Sequence, residues 1–336
     1  MPAAEPARVV DPTPSEPRTI HLYRPQNQLG DLLLNVPAIR SIRERFPRAH
    51  IVLVVGRQNA PAVLGQRWAD EIRVVDTRNV LGVAGGGIRG LGAPRPDLAI
   101  YFTTVSYSRS AAMLARWSRA RERVGFDPVL YRERDHARLT RRVAFPASPL
   151  HQSDVALLLA RAAGAGARPD PPYYVADPVL RAKAPEGAVY IHPGAGKHKN
   201  RWAADRFAAV ARELTGRGLS VWWLEGPQDS GTVDAATAAL GMKLPVVRGE
   251  TIPMLAARFA RASLYIGNDT GPLHLAAATG CATVGIYGWT DPAEWLPVGR
   301  CVRSVRAPDG RLESVEPRDV LQAALPLLTE ERCAVG

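Results

Sequence analysis

Short apolar runs alternate with segments of helical periodicity along most of this chain, and that alternation limits its fold more than any other feature. Runs such as IVLVV at 51–55 and AVYIH at 188–192 are almost continuously apolar, as strands buried on both faces are. Strands that alternate with helices build parallel sheets covered by helices on both faces. The sequence therefore predicts an α/β protein.

The predicted elements form two series, separated at 164–185 by a segment rich in Gly and Pro that is typical of a domain boundary. We expect an N-terminal domain over 18–170, a C-terminal domain over 186–330 and a cleft between them. The tail 1–17 is expected to be disordered, and 82–92, with six glycines, to be a loop beside the cleft. Predicted strands are 18–23, 51–55, 72–75, 98–102, 188–192, 219–224, 263–266 and 282–287; predicted helices are 31–45, 109–121, 153–163, 203–215, 252–261, 271–278 and 317–328.

Charge is distributed unevenly along the 336 residues, whose net charge is +11. Residues 1–170 hold 25 basic and 15 acidic side chains, whereas 171–336 hold 18 and 17. A basic front half indicates an anionic partner, such as a phosphorylated or carboxylated substrate or a membrane surface. The arginine-rich stretch 116–142 has few aromatic residues among its arginines to stack on bases, so no nucleic-acid partner is expected.

The apolar runs are also too short to span a bilayer, which takes ~20 residues. The first residues contain acids and prolines and no apolar segment typical of a secretory signal. We therefore expect a cytoplasmic protein, with peripheral contact at the inner face of the membrane as a further expectation.

The first motif, Leu29-Gly30-Asp31, follows a predicted strand and begins a helix. Ligands of doubly wound sheets bind in such turns, outside the carboxyl ends of the strands. Gly30 is expected to allow a tight turn. Asp31 has two interpretations: a helix N-cap, which spacing alone favours, or a carboxylate in the cleft that takes a proton from a hydroxyl group.

The second motif, HPGAGKHKNRW at 192–202, combines glycines with basic side chains after a buried strand. Gly194 and Gly196 are expected to let backbone N–H groups approach phosphate oxygens, and the helix that follows adds positive potential. Lys197 and Lys199 supply charge for a diphosphate. The spacing differs from that of a P-loop.

The third motif, GNDTGPLH at 267–274, again joins a strand to a helix through a polar turn. Thr270 and Gly271 are expected to offer backbone N–H groups to an anion. Asp269 is a candidate ligand of sugar hydroxyl groups, and His274 lies one turn into the same helix. No Asp-x-Asp, His-Glu-x-x-His or Gly-x-Ser-x-Gly sequence occurs, so neither a metal nor another cofactor is expected.

Together, LGDLLLNVPAIRSIRERFP, HPGAGKHKNRW and GNDTGPLHLAAATG resemble glycosyltransferase family 9, the heptosyltransferases that build the inner core of lipopolysaccharide. The resemblance spans about 20–328. It implies a GT-B architecture, in which two Rossmann-like domains face each other across a cleft. It also implies metal-independent, inverting transfer of a heptose from a nucleotide donor, usually ADP-heptose, to a hydroxyl group of an anionic glycan or glycolipid.

The resemblance assigns roles to residues of all three motifs. Asp31 becomes the catalytic base. The acceptor side takes Gly30 and Asn35. The donor side takes the remaining motif residues: Gly194, Gly196, Lys197, Lys199, Asn200, Asp269, Thr270, Gly271 and His274.

The second motif departs from the family pattern. Members of the family often have Lys two residues before the Trp of this motif, where Asn200 precedes Trp202, and Ala203 stands where Pro is usual. Lys197 or Lys199 takes over the contact with the diphosphate, or the leaving group is handled differently. Two alternatives therefore stay open: a related transferase with another nucleotide sugar or a natural-product acceptor, and a non-catalytic protein that binds a sugar nucleotide or nucleic acid.

Overall fold

Two parallel six-stranded sheets form the framework of the protein. The computed structural model describes residues 16–76 and 95–330. Most of the predicted disordered tail and the predicted loop 82–92 lie outside this part of the chain. The α/β prediction is confirmed by the sheets, in which every paired strand is parallel to its neighbour.

The first sheet has the strand order β3-β2-β1-β4-β5-β6. Its strands are β1 Thr19–Arg24, β2 His50–Gly56, β3 Glu71–Val75, β4 Leu98–Tyr101, β5 Glu122–Phe126 and β6 Arg141–Val143. The helices of this half are α1 Leu29–Arg45, α2 Ala60–Val63, α3 Arg109–Trp117 and α4 Gln152–Ala162.

The second sheet has the order β12-β11-β10-β7-β8-β9. Its strands are β7 Val189–His192, β8 Val221–Glu225, β9 Val246–Arg248, β10 Leu264–Asn268, β11 Thr283–Tyr287 and β12 Val302–Arg306. The helices are α5 Pro178–Lys183, α6 Ala204–Gly216, α7 Thr232–Leu240, α8 Ile252–Phe259, α9 Gly271–Ala278, α10 Pro292–Trp295 and α11 Pro317–Ala324. Among the helices of 16–76 and 95–330, none is long and apolar enough to cross a membrane.

Both sheets follow the same path. Each begins with a central strand, adds two strands on one side, and then returns to add three on the other. The direction reverses between β1 and β4 in the first sheet and between β7 and β10 in the second. A crevice for ligands opens at such a reversal, outside the carboxyl ends of the strands.

The apolar pattern finds the central strands and misses most of the peripheral ones. β6, β9 and β12 lie at sheet edges, and β5, which lies next to the edge, begins with the charged residues Glu122 and Arg123. An edge strand pairs on one side only and does not need a continuous apolar run. The sequence pattern therefore predicts neither these four strands nor the Ala-rich helix α7.

The Gly- and Pro-rich segment 164–185 is packed against both halves. The Arg40 guanidinium on α1 donates to the carbonyl oxygens of Asp170 and Pro172, at 2.9 and 2.7 Å. The backbone N–H groups of Tyr173 and Tyr174 both donate to the Ala278 carbonyl on α9, each at 2.9 Å. The segment is thus anchored at α1 and α9, and the domain limits placed around it stay a prediction.

The N-terminal ends of α1 and α9 meet across the two sheets, and glycines allow the approach. A Cβ atom on Gly30 would lie 2.9 Å from Cδ2 of His274 on α9, and one on Gly271 would lie 3.2 Å from Cβ of Leu29 on α1. The expectation that Gly30 forms a tight turn is wrong, because Gly30 lies within the first turn of α1. A glycine is needed at this position because a larger side chain would clash with the His274 ring.

Substituting Gly30 with Ala should therefore destabilise the protein. Overpacking of a tight contact costs about 1–3 kcal/mol, and the His274 ring must shift. Gly216→Ala is the matched control, because no heavy atom lies within 4 Å of a Cβ at that helical position. Urea unfolding should show a lower midpoint for Gly30→Ala and an unchanged or higher one for Gly216→Ala. Equal midpoints for Gly30→Ala and the wild type would contradict this account.

Candidate active site

The carboxyl ends of the central strands enclose a cleft of about 750 Å³ between the two sheets. The turns after β1 and β4 form one wall, and the turns after β7, β8, β10 and β11 form the other. Nine of the predicted site residues line it: Gly30, Asp31, Gly196, Lys197, Asn200, Asp269, Thr270, Gly271 and His274. The three motifs thus converge on one cavity.

Asp31 lies in the first turn of α1 and does not cap it. The N-cap residue is Gln28, and no side chain caps this helix end. Instead, the Asp31 carboxylate pairs with Arg24, the last residue of β1, at 3.2 Å between Oδ2 and Nη2. The Arg24 side chain is 4% exposed and that of Asp31 is 21% exposed. The N-cap interpretation is therefore wrong, and the carboxylate faces the cleft.

Burial governs the titration of this pair. It raises the pKa of Asp31, and the nearby Asp269 carboxylate adds to the shift, while the positive charges of Arg24 and Lys197 oppose it. Burial likewise lowers the pKa of Arg24 to about 10. A carboxylate with a raised pKa is a stronger base than one in water.

Opposite Asp31, the first turn of α9 forms the other side of the cleft. No side chain caps this helix at Thr270, so its first N–H groups are available to an anion. Asp269 Oδ1 lies 3.6 Å from His274 Nε2, and both side chains are largely buried. In the described part of the chain, no three His, Cys, Asp or Glu side chains are grouped to hold a metal ion; metal independence stays a prediction.

Several buried polar atoms around this site lack a hydrogen-bond partner within 16–76 and 95–330. They are Arg24 Nε, Asn35 Oδ1 and His274 Nδ1. Buried polar groups are nearly always paired in folded proteins, and exceptions concentrate where function demands them. These three atoms beside the contact of α1 with α9, together with Thr103 Oγ1 in the cleft, make this region a candidate functional site.

Some residues of the second motif line the cleft, and others pack behind its wall. Gly196, Lys197 and Asn200 line the cleft. Gly194 does not: a Cβ there would lie 2.1 Å from Cγ of Asp229, so this glycine makes room for a side chain and not for a phosphate. Lys199 is placed with its ammonium 3.7 Å from the ring centre of Trp289.

Two buried contacts hold that motif in place. Asn268, at the end of β10, donates through Nδ2 to the carbonyl oxygens of Pro193 and Gly194, both at 3.1 Å, and accepts from the Trp202 N–H at 3.0 Å. His192 Nε2 lies 2.6 Å from Asp229 Oδ2, with both side chains buried. The Gly-rich turn is therefore fixed before any ligand arrives.

Asn35 and the basic surplus of the front half lie away from the cleft. Asn35 is buried and donates from Nδ2 to the Asp31 carbonyl oxygen at 2.8 Å. Arg24 is the one front-half arginine among the cleft residues of the described chain. Many other arginines near β5 and β6 are in ion pairs, such as Arg109 with Glu133 and Arg141 with Glu122.

Several cleft residues lie outside the three predicted motifs. They are Arg24, Gln228 and Trp289, together with Thr103, Thr104 and Ser106 in the turn after β4. The signal for that turn is present, because FTTVS is a polar run directly after a buried strand. Arg24 gives no such signal, since one Arg at a strand end is common in any sheet.

Comparison with known proteins places this chain in a family. The model of "Glycosyltransferase family 9 (heptosyltransferase)" matches residues 88–324. Lipopolysaccharide heptosyltransferase 3 of Escherichia coli is 24% identical over 288 residues, covering 80% of this chain and 83% of that protein. The core heptosyltransferase OpsX of Haemophilus influenzae is 24% identical over 198 residues, covering 56% of each.

Solved structures confirm the GT-B fold. The glycosyltransferase family 9 protein of Veillonella parvula has a TM-score of 0.82 at 21% identity, covering 94% of this chain and 98% of that one. The E. coli ADP-heptose lipopolysaccharide heptosyltransferase II has a TM-score of 0.75 at 19% identity, covering 94% and 99%. The expected family resemblance and architecture are thus confirmed. The family match begins beyond Asp31, so a role for Asp31 rests on geometry.

The pairing with Arg24 predicts how Asp31 titrates. Arg24→Met removes a positive charge that lowers the pKa of Asp31, so the carboxyl should titrate at higher pH than in the wild type. Arg24→Lys keeps a positive charge and should shift the pKa of Asp31 less. Side-chain carboxyl NMR, with Asp31→Asn to identify the signal, measures both. The same titration midpoint in Arg24→Met and the wild type would show that the pair is not coupled.

Proposed function

The chain belongs to glycosyltransferase family 9 and is a glycosyltransferase, and from that premise we propose that it transfers a heptose from a nucleoside-diphosphate donor to a hydroxyl group of an anionic glycan. The observation that carries the proposal is the meeting of Gly30 with His274. It brings the Asp31 carboxylate of one half beside the Asp269–His274 anion cradle of the other. Those are the two groups that a direct displacement needs.

In the proposed mechanism Asp31 is the general base. The acceptor oxygen attacks the anomeric carbon while its proton passes to Asp31 Oδ. The bond between that carbon and the diphosphate oxygen breaks, and its electron pair leaves with the nucleoside diphosphate. Attack and departure on opposite faces invert the anomeric configuration. The raised pKa of Asp31 favours the proton transfer.

The leaving group gains negative charge, and the second half supplies the groups to stabilise it. The start of α9 lines the cleft without a side-chain cap, and its free N–H groups act as fixed positive charge. Lys197 lines the same cleft and acts electrostatically on Asp31. Lys199 is held over Trp289. We therefore assign the diphosphate contact to Lys197, in place of the Lys that family members often have where Asn200 stands.

The donor is proposed to be ADP-heptose. E. coli heptosyltransferase WaaC, which has a TM-score of 0.71 with this chain, is solved with ADP-2-deoxy-2-fluoro heptose. At 19% identity that likeness shows the fold alone, so support for ADP-heptose comes from the family membership. Another nucleotide sugar is the alternative, and a thermal-shift comparison of ADP, UDP, GDP and CDP decides between them, because the nucleotide that binds raises stability.

The acceptor is proposed to enter along the first-sheet wall, as the anionic inner core of a lipopolysaccharide would. The E. coli relative in the curated comparison is a lipopolysaccharide heptosyltransferase. Arg132 and Arg134, on the turn after β5, are exposed and without an ion-pair partner in the described part of the chain. Tyr131 beside them donates to the carbonyl oxygen of Thr103, a cleft residue, at 2.9 Å. Acceptor phosphates or carboxylates at this rim would also place the enzyme at the inner membrane face.

Asp31→Asn tests the mechanism. Loss of a general base costs about 10²–10⁴-fold in rate, so transfer from ADP-heptose should fall by that factor. Two effects on stability oppose each other, because Asn avoids the cost of burying the Asp31 charge but leaves the buried Arg24 guanidinium without its counter-charge. A folded-state pKa above the unfolded value means that ionising Asp31 costs stability as pH rises through the folded pKa, and Asn bears no such cost. Turnover by discontinuous product assay and thermal unfolding at pH 7 give the two readings; near-native turnover would place the base elsewhere.

The two lysines of the second motif provide a matched pair for the donor site. Lys197→Ala should weaken nucleoside-diphosphate binding by about 10-fold or more, because a charge-assisted hydrogen bond contributes about 1.5–3 kcal/mol. Lys199→Ala should weaken it less, since that ammonium lies over an aromatic ring. Calorimetric titration with ADP measures both. A larger loss in Lys199→Ala would reverse the assignment.

A further inference from the structure

Three exposed apolar side chains lie on segments that follow neighbouring strands of the first sheet. Val105 in the turn after β4 is 44% exposed, Met113 on α3 is 37% exposed, and Val129 in the turn after β5 is 70% exposed. Single exposed apolar side chains are common, whereas a group of them on one surface marks a site of interaction. Their significance therefore depends on whether the three segments form one surface.

Two tyrosines join the turns after β4 and β5. The Tyr131 hydroxyl donates to the carbonyl oxygen of Thr103 at 2.9 Å, and the Tyr107 hydroxyl donates to that of Arg134 at 3.0 Å. The centres of the two tyrosine rings lie 6.0 Å apart. The two turns are thus packed together at the carboxyl edge of the sheet.

Helix α3 is joined to the same edge through its first turn. Arg109 pairs with Glu133, in the turn after β5, at 2.8 Å. Met113 and Arg116 follow Arg109 by four and seven positions, so they lie on the same face of the helix. The three segments therefore form one surface. We call it the rim surface and define it by Val105, Met113, Arg116, Val129, Arg132 and Arg134.

The rim surface is positively charged as well as apolar. Arg116, Arg132 and Arg134 are exposed, and none of them has an ion-pair partner among residues 16–76 and 95–330. The neighbouring Glu133 and Asp135 already pair with other arginines, at 2.8 and 3.1 Å. Such a mixture suits a bilayer with anionic lipids, because apolar side chains enter among the lipids while basic ones meet the phosphates.

The position of the rim surface beside the cleft indicates the same partner. Val105 and Thr103 belong to the cleft lining, as does Asp31. A glycolipid acceptor is fixed in a bilayer by its acyl chains, so an enzyme that binds it on the first-sheet wall must bring that wall to the bilayer. Acceptor phosphates alone would explain the arginines but not the exposure of Met113 and Val129.

We infer that the rim surface docks the enzyme on an anionic lipid bilayer. The inference rests on the proposed function, because a glycolipid acceptor is what brings the enzyme to a bilayer. It extends that function to a surface of the protein that takes no part in the transfer itself, and it is testable without acceptor or nucleotide.

The test measures sedimentation of the full-length protein with two kinds of vesicle that contain no lipopolysaccharide. One is phosphatidylcholine alone, and the other is phosphatidylcholine and phosphatidylglycerol in equal parts. The wild type should bind the mixed vesicles more tightly, and added salt should weaken that binding. Arg116→Gln should weaken it by about 5-fold, because one basic residue near an anionic membrane contributes about that factor.

A repeated local sequence supplies a matched control for the apolar contribution. Val129 and Val179 each follow an Asp-Pro pair, each has its backbone N–H bonded to that Asp, and they are 70% and 63% exposed. Val179 lies on α5, in the other half of the protein. Val129→Ser should weaken binding to mixed vesicles by about 4-fold or more, because each CH₂ group buried in lipid contributes about that factor. Val179→Ser should bind as the wild type does.

Several results would overturn the inference. They are a wild type that does not bind the mixed vesicles, equal affinity of Val129→Ser and the wild type, and equal losses in Val129→Ser and Val179→Ser. Binding that requires lipopolysaccharide in the vesicles would also overturn it and assign the rim surface to the acceptor. Vesicle binding as expected, without any transfer from ADP-heptose, would overturn the proposed function alone.

Discussion

The close approach of α1 and α9 is the constraint on which the rest of the site depends. Each helix starts at the carboxyl end of a central strand of its own sheet, and each carries a glycine where the two touch. The Gly30–His274 contact sets the distance between the Asp31 carboxylate, the proposed proton acceptor, and the proposed anion site at the start of α9. Leu29 packs against Gly271, and Arg40 holds the segment 164–185, which is itself bonded to α9.

The buried Arg24–Asp31 pair costs desolvation free energy and provides a carboxylate of raised pKa. Two charges are withdrawn from water, and burial disfavours the charged form of each. Ion pairs of this kind stabilise a fold little, because desolvation cancels most of their attraction. A partly desolvated carboxylate beside a fixed cation fits the proposed role of Asp31 as a general base.

Much of the fold and part of the site can be predicted from the sequence, for reasons that the structure makes plain. A strand buried on both faces must be apolar, so the central strands are visible, and the turns after them hold the three motifs. Contacts between distant residues leave no local pattern. Asn200 and Trp289 are 89 positions apart, and neither side chain alone indicates the other. The sequence shows a glycine at position 30 but not why it is needed, which is the close approach of the His274 ring on α9. Gly194 likewise makes room for the Asp229 side chain.

The two helix N-termini that face one cleft also have a consequence for movement. Each carries about half a positive charge, and Arg24 and Lys197 add full ones, which the carboxylates of Asp31 and Asp269 balance in part. An anion placed between the two helix ends is attracted from both sides. Donor binding and the approach of the two halves are then thermodynamically linked, in the sense that each favours the other by the same free energy. The diphosphate would thus hold the two halves together electrostatically, and they would separate more easily once the charged product has left.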